Sequence, residues 1–291
     1  MIRFGPSGNS QIFYDEGNKS SLEAPKWCKE HGLNAYEYSF GRMFNMSHEK
    51  AILLGNEAEK NDVLVSVHAP YYINLANPSD EVFEKNVGYL LTSLSFLQEF
   101  KGMMCVFHPG SCGKETRNVA FSRILSRMDK LVERVYMAGY GDLYICPETM
   151  GKSMQIGTVK EVVEMCKFDK CLIPTFDFGH INAVTGGTLK TEDDYRKILD
   201  YTYNQLGEFK TKNIHIHFSK IEYTDKGEVK HLTLEDTKYG PEFEPLAKVL
   251  KDMQLEPTII CESKEVMMQD AIKMKDIYNS VGGIKNANRW Y

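Results

Sequence analysis

A chain of 291 residues with 42% apolar and 26% charged side chains can bury a large core, which excludes a disordered or low-complexity protein. Its formal charge of −5 excludes a protein that grips nucleic acid mainly through a basic surface, because such binding depends on neutralising many phosphates. Seven cysteines without a CxxC pair, several inside apolar runs, read as reduced core thiols and not as a disulfide framework.

Met1-Ile2-Arg3-Phe4-Gly5 enters a short β-rich run at residues 2–5 without a charged and then apolar leader, and no later run is long enough to cross a bilayer. The cytoplasm is the expected location, with no membrane partner. Lys29-Glu30-His31-Gly32 ends a helix, and a second run follows at 34–38. His31 at that end and His48 after the cap Ser47 read as ordinary helix residues. The third run, 63–67, is closed by His68 and the turn Ala69-Pro70. Ser79-Asp80-Glu81 then opens a helix with Val82, Val87, Leu90, Leu94 and Leu97 on one side. The fourth run, 104–107, repeats the earlier arrangement with His108 before Pro109-Gly110.

The fifth run, 143–146, leads through Pro147 to Glu148, and the sixth, 172–176, leads to Asp177, with His180 three residues on. Thr191 with Asp194 forms a capping box. In the seventh run, 214–218, His215 and His217 alternate with apolar residues, so both rings face one side. The eighth, 257–261, ends at Glu262, after which Ser263 is placed to cap the last long helix.

Eight strand-like runs alternating with helices over this length predict a parallel eight-stranded (β/α)8 TIM barrel, with residues 1–291 as one domain. All strand ends then meet on one face, which gathers His68, His108, Glu148, Asp177, His215 and Glu262. Ionised carboxylates on buried strands are costly without a cation or partner. His, Asp and Glu without Cys suit Zn²⁺ or Mn²⁺ in a catalytic centre. Ions held close together there would polarise a phosphoryl oxygen and generate a hydroxide nucleophile at neutral pH.

The motifs VHAPYYINLA from Val67, FHPG from Phe107, PET from Pro147, FDFGHINA from Phe176, HIHFSK from His215 and CES from Cys261 together resemble the endonuclease IV family. The resemblance covers about Asn61 to Glu262, in family order. It implies a zinc-dependent barrel that incises damaged double-stranded DNA 5′ to abasic sites. By motif, His68, His108 and Glu148 would hold one zinc, and Glu148 would bridge to a second held by Asp177, His215 and Glu262. His180 and His231 would serve a third, giving two to three ions per chain, with Glu148 and Glu262 as the catalytic carboxylates. Tyr71 and Tyr72 stand where the family probes the base stack, and Arg42, Lys220, Lys226 and Lys230 would supply a basic rim.

The sequence departs from the family in two places. Val229 replaces the Asp of the Asp-x-His motif before His231, leaving Glu228 or His217 as substitutes, and Phe4-Gly5-Pro6-Ser7-Gly8 lacks the family's His-Val-Ser. The functional expectation is a phosphodiesterase of abasic DNA, acting as a monomer. The alternative is a metal-dependent sugar isomerase or epimerase of the xylose-isomerase-like superfamily, with Glu148 and Glu262 flanking a single ion as proton shuttles. A non-catalytic, metal-dependent nucleic-acid binder is the third class.

Overall fold

The protein is described over residues 1–282 from a computed structural model. Its eight barrel strands are β1 Arg3–Pro6, β2 Ala35–Ser39, β3 Leu64–His68, β4 Met104–Phe107, β5 Tyr144–Pro147, β6 Thr175–Asp177, β7 His215–Phe218 and β8 Thr258–Cys261. Strands β2 to β5 pair in parallel in sequence order, as do β6, β7, β8 and then β1. The two arcs join through isolated bridges, Ser7 to Glu37 between β1 and β2, and Ile145 to Leu172 and Glu148 to Thr175 along the seam between β5 and the β6 segment. The amides of Gly8 and Thr149 donate across those seams to the carbonyls of Glu37 and Thr175, each at 3.0 Å. The ring is closed, so the predicted TIM barrel is the fold.

All eight predicted runs are strands, with small shifts that have local causes. The sixth keeps only Thr175 and Phe176 of the predicted run and extends to Asp177: Pro174 has no N–H to give a neighbouring strand. The seventh begins at His215, one residue late, a shift that matters for the site.

Helices cover the outside. Asp80–Glu99 starts where Ser79 Oγ accepts the Val82 N–H at 3.3 Å, and it buries Phe83, Val87, Leu90, Leu94 and Leu97, while Val82 is only half-buried. Glu192–Lys212 opens with the Asp194 carboxylate accepting the Thr191 N–H at 2.9 Å. His31 stacks on Trp27 and His48 on Phe96, both away from the barrel mouth. Ser263 does not cap the last helix. That helix, Met267–Ser280, begins four residues later, and the Met268 N–H donates instead to Ser10 Oγ at 2.9 Å. Ser263 is buried and accepts from the Cys261 thiol.

The main apolar core runs from Phe4 on β1 to Val281 after the last helix, a smaller cluster of Met104, Val106, Cys146 and Ile173 stands apart from it, and all seven cysteines are buried and unpaired. Among the described residues, no helix is long and apolar enough to cross a membrane. One feature escapes the sequence: after β7 the chain makes an antiparallel hairpin, Lys220–Thr224 with Gly227–Leu232, carrying a bulge at Glu222/Tyr223. Gly227, at φ +96°, passes so close to the Gly151 carbonyl that a Cβ would collide with it, which seats the hairpin on the loop after β5.

Candidate metal centre

His68 is the last residue of β3, and the Ala69 carbonyl, which can only accept, takes the proton on its Nδ1 at 2.8 Å. Its Nε2 is thereby left facing Glu148 Oε2 at 3.2 Å. His108, directly after β4, brings its Nε2 to 3.1 Å from the same oxygen. The other carboxylate oxygen, Glu148 Oε1, lies 3.1 Å from His217 Nδ1 and 3.5 Å from His180 Nδ1. Glu148, just beyond β5 and 1% exposed, is therefore the hub around which four imidazoles converge.

Asp177 ends β6 and caps the short helix Phe178–Val184, its Oδ1 accepting the His180 N–H at 2.7 Å. Its buried Oδ2 has no hydrogen-bond partner and lies 3.2 Å from His180 Nδ1. Glu262, just beyond β8, brings Oε2 to 3.6 Å from His217 Nδ1. Across the cleft, Glu228 on the hairpin lies between two rings, 3.5 Å from His180 Nε2 and 3.7 Å from His231 Nε2. His231 is held from behind by Ser219 Oγ at 2.8 Å.

Of four potential ion-binding groups among the described residues, Glu37 with His215 and His217 lies buried below the mouth, and three adjoin at it: His68 with Glu148 and His217; Glu148 with Asp177, His217 and Glu262; and His180 with Glu228 and His231. They open into a cleft of about 690 Å³, lined also by Ser7, Tyr71, Met150, Lys152, Gln155, Lys230 and Lys264. Tyr71 lies over the centre, its ring 5.5 Å from His108 and its hydroxyl 2.9 Å from Ser39 Oγ.

The electrostatics fit a cation. Burial works against the charge on Glu148, but His217 and the hydrogen bonds from His108, His180 and His217 hold its carboxyl well below the usual range. Burial, reinforced by Glu262 and Glu148, pushes Asp177 up to about 6. His180 resists burial because Asp177, Glu148 and Glu228 push it up to about 10, whereas burial lowers His108. Without an ion, protons on imidazoles supply the balancing charge. An N/O donor set with an unpartnered buried carboxylate oxygen could hold a metal ion in an open site.

The structure differs from the sequence reading at six residues, one of them Lys226, which is exposed and does not line the cleft. His215 does not reach the Glu148–Asp177–Glu262 group: it is the first residue of β7, in register with Thr175 and Thr258, and sits one layer below the mouth. His217, in register with Asp177, takes that place instead of serving the third group. Lys220 is no rim cation, being 4% exposed with Nζ bound to the Asp236 carbonyl and the Glu242 carboxylate. Tyr72 turns to Tyr89, with ring centres 4.9 Å apart, and does not line the cleft. Arg42 is exposed and also lies outside it.

Glu37 on β2 was missed. It is fully buried beneath the centre, hydrogen-bonded to Ser66 and His215, with its other oxygen 2.9 Å from His217 Nε2 in an ion-pair contact. Its signal is a lone carboxylate between Tyr36 and Tyr38, the period-two position that faces the barrel interior.

Comparison with known proteins agrees with this architecture. A model of the xylose isomerase-like TIM barrel matches residues 25–278. An uncharacterized protein of Methanocaldococcus jannaschii is 31% identical over 281 residues, covering 97% of this chain and 98% of that one. A probable endonuclease 4 of Malacoplasma penetrans is 29% identical over 185 residues, which cover 56% of this chain and 62% of that protein. Among solved structures, a D-tagatose 3-epimerase-like protein superposes with a TM-score of 0.67 at 23% identity, covering 96% of each chain. By the span of the family match and by its closed ring of parallel strands, this chain belongs to the xylose isomerase-like TIM barrel family.

Proposed function

We propose that this protein is a metal-dependent phosphodiesterase that incises DNA 5′ to abasic sites. One observation carries the reading: three ion-binding groups adjoin, and the third is complete although Val229 stands where the family pattern has Asp. The hairpin bulge lets Glu228 supply that carboxylate from one position earlier. A single-ion enzyme has no need of a third group. The sequence relationship to a probable endonuclease 4 supports the same reading.

With His217 given to the second site, His68, Glu148 and His108, whose Nε2 faces the same Glu148 oxygen, would hold one zinc ion, Glu148, Asp177, His217 and Glu262 a second, and His180, Glu228 and His231 a third. When bound, such ions polarise a phosphoryl oxygen and make water a nucleophile near neutral pH. The chain's own residues do the rest. Glu148 ties the first two groups together, Tyr71 offers an aromatic face at the mouth for an unstacked base or sugar, and Lys152, Lys230 and Lys264 face the cleft where flanking phosphates would lie.

The alternative, a sugar epimerase, draws on the group of Glu148, Asp177, His217 and Glu262, which by itself would hold one ion between two glutamates. Metal content and substrate distinguish the two. Protein purified without chelator is expected to carry at least two zinc or manganese ions and to nick a duplex containing one abasic site. One ion per chain, no nicking and epimerisation of a ketose would establish the sugar reading instead.

A further inference from the structure

We propose that Glu37 is a positioning residue that fixes the tautomer and orientation of His217, and through that ring the second ion site. The proposal rests on the metal-dependent reading above but not on its substrate. Glu37 is fully buried on β2, one layer below the cleft, and no lysine or arginine pairs with it among the described residues. Its Oε2 accepts the Ser66 hydroxyl at 2.8 Å and lies 2.9 Å from His215 Nε2; its Oε1 lies 2.9 Å from His217 Nε2. A carboxylate offers only lone pairs, so His215 presents a proton on Nε2; His217 Nε2 meets Oε1 at 2.9 Å without hydrogen-bond alignment, and the negative oxygen there favours a proton on that nitrogen over a second lone pair.

For His217 the consequence reaches upward. Its other nitrogen, Nδ1, faces Glu148 Oε1 at 3.1 Å and Glu262 Oε2 at 3.6 Å. With the proton held on Nε2, Nδ1 presents the lone pair that a cation between those carboxylates needs. Without Glu37, a neutral His217 can place its proton on Nδ1 and donate it to Glu148, which closes the ligand position. His215 supports the arrangement from below. The two rings meet edge to face along β7 with centres 5.2 Å apart, and Glu37 spans both, which gives a buried role to a histidine that reaches no carboxylate of the mouth.

The test compares wild type with Glu37→Met, which keeps the length of the side chain and removes both acceptors, and with Glu37→Gln, which keeps one. Zinc affinity is measured by chelator competition, and the Co²⁺-loaded proteins by visible absorption. Glu37→Met is expected to bind one zinc about 10–100-fold more weakly with an altered cobalt band, and Glu37→Gln to recover most of the loss. Equal affinity and an unchanged band in Glu37→Met would overturn the proposal. Should the variants not fold, long-range ¹H–¹⁵N NMR of zinc-loaded wild type decides: a proton on His217 Nε2 supports the proposal, and a proton on Nδ1 overturns it. Wild type that binds zinc without nicking abasic DNA sinks only the nuclease reading, and Glu37 is still judged on affinity. Wild type that binds no divalent metal refutes both.

Discussion

Glu148 shows how one side chain can serve several partners. Both of its oxygens are engaged, each by two imidazoles, and its burial makes the negative charge costly in the absence of those neighbours. Glu148→Gln keeps the shape and removes the charge. We expect abasic-site nicking to fall by about 100-fold or more in a barrel that still folds, as far-UV circular dichroism reads it, with a thermal midpoint lowered to the extent that metal is lost. Retained nicking measured on a labelled duplex would remove Glu148 from the centre. Glu228→Gln is a gentler case, expected to lower the bound zinc by one ion per chain while the first two sites stay filled; elemental analysis after gel filtration reads the result.

At the scale of elements, the loop after β5 is held by a clamp the chemistry does not touch. Glu161 caps the helix Val159–Met165 by accepting from the Thr158 and Gly157 amides, and it also receives Arg117 through two bonds of 2.7 Å. Arg117 in turn donates to the carbonyls of Ser153 and Gln155. Burial raises the Glu161 carboxyl, but Arg117 and the two amides outweigh it and hold the group below its ordinary value near 4.5. A depressed acid stabilises the fold above that ordinary value and loses its contribution as pH falls through the folded value. Urea midpoints of wild type should therefore decline below about pH 4.5. Glu161→Gln should cost about 1–3 kcal/mol at pH 7 and flatten the acid decline. An equally steep acid decline in that variant would assign the acid sensitivity to other carboxylates.

The elements were legible in the sequence because a parallel barrel repeats one physical pattern: an apolar strand, a polar tip and an amphipathic helix. His68 and His108 stood out because proline turns force each strand to stop at the ring. What the sequence concealed was depth. The seventh run carries two histidines on one face, and only the register of β7 against β6 shows that His217 is level with Asp177 while His215 lies below. Glu37 was hidden for a related reason: its partners lie 29 to 180 residues away in the chain, on strands that come together only when the ring closes. Glu228 depended on a bulge in a hairpin that reads as a lysine-bearing loop.

For the whole molecule, the balance of charge links stability to metal. The formal charge is −5, and several of the acidic groups crowd beneath one opening, where ions would replace the protons that now offset them. Removing bound metal with a chelator at pH 7 should lower the thermal midpoint by about 5 °C or more, restored by added zinc. An unchanged midpoint would mean that the groups hold no ion in the folded protein.

The bond from the Met268 amide to Ser10 Oγ carries a different consequence, one for the order of assembly. It ties a loop made among the first residues to a helix made among the last, 258 positions later, and β8 must slot between β7 and β1 before it can form. A chain still emerging from the ribosome thus has an open-sided sheet with exposed strand edges until nearly all of it is synthesised. Nascent fragments ending before Glu262 should be protease-sensitive and dependent on chaperones, and ordering should arrive late and as a single event.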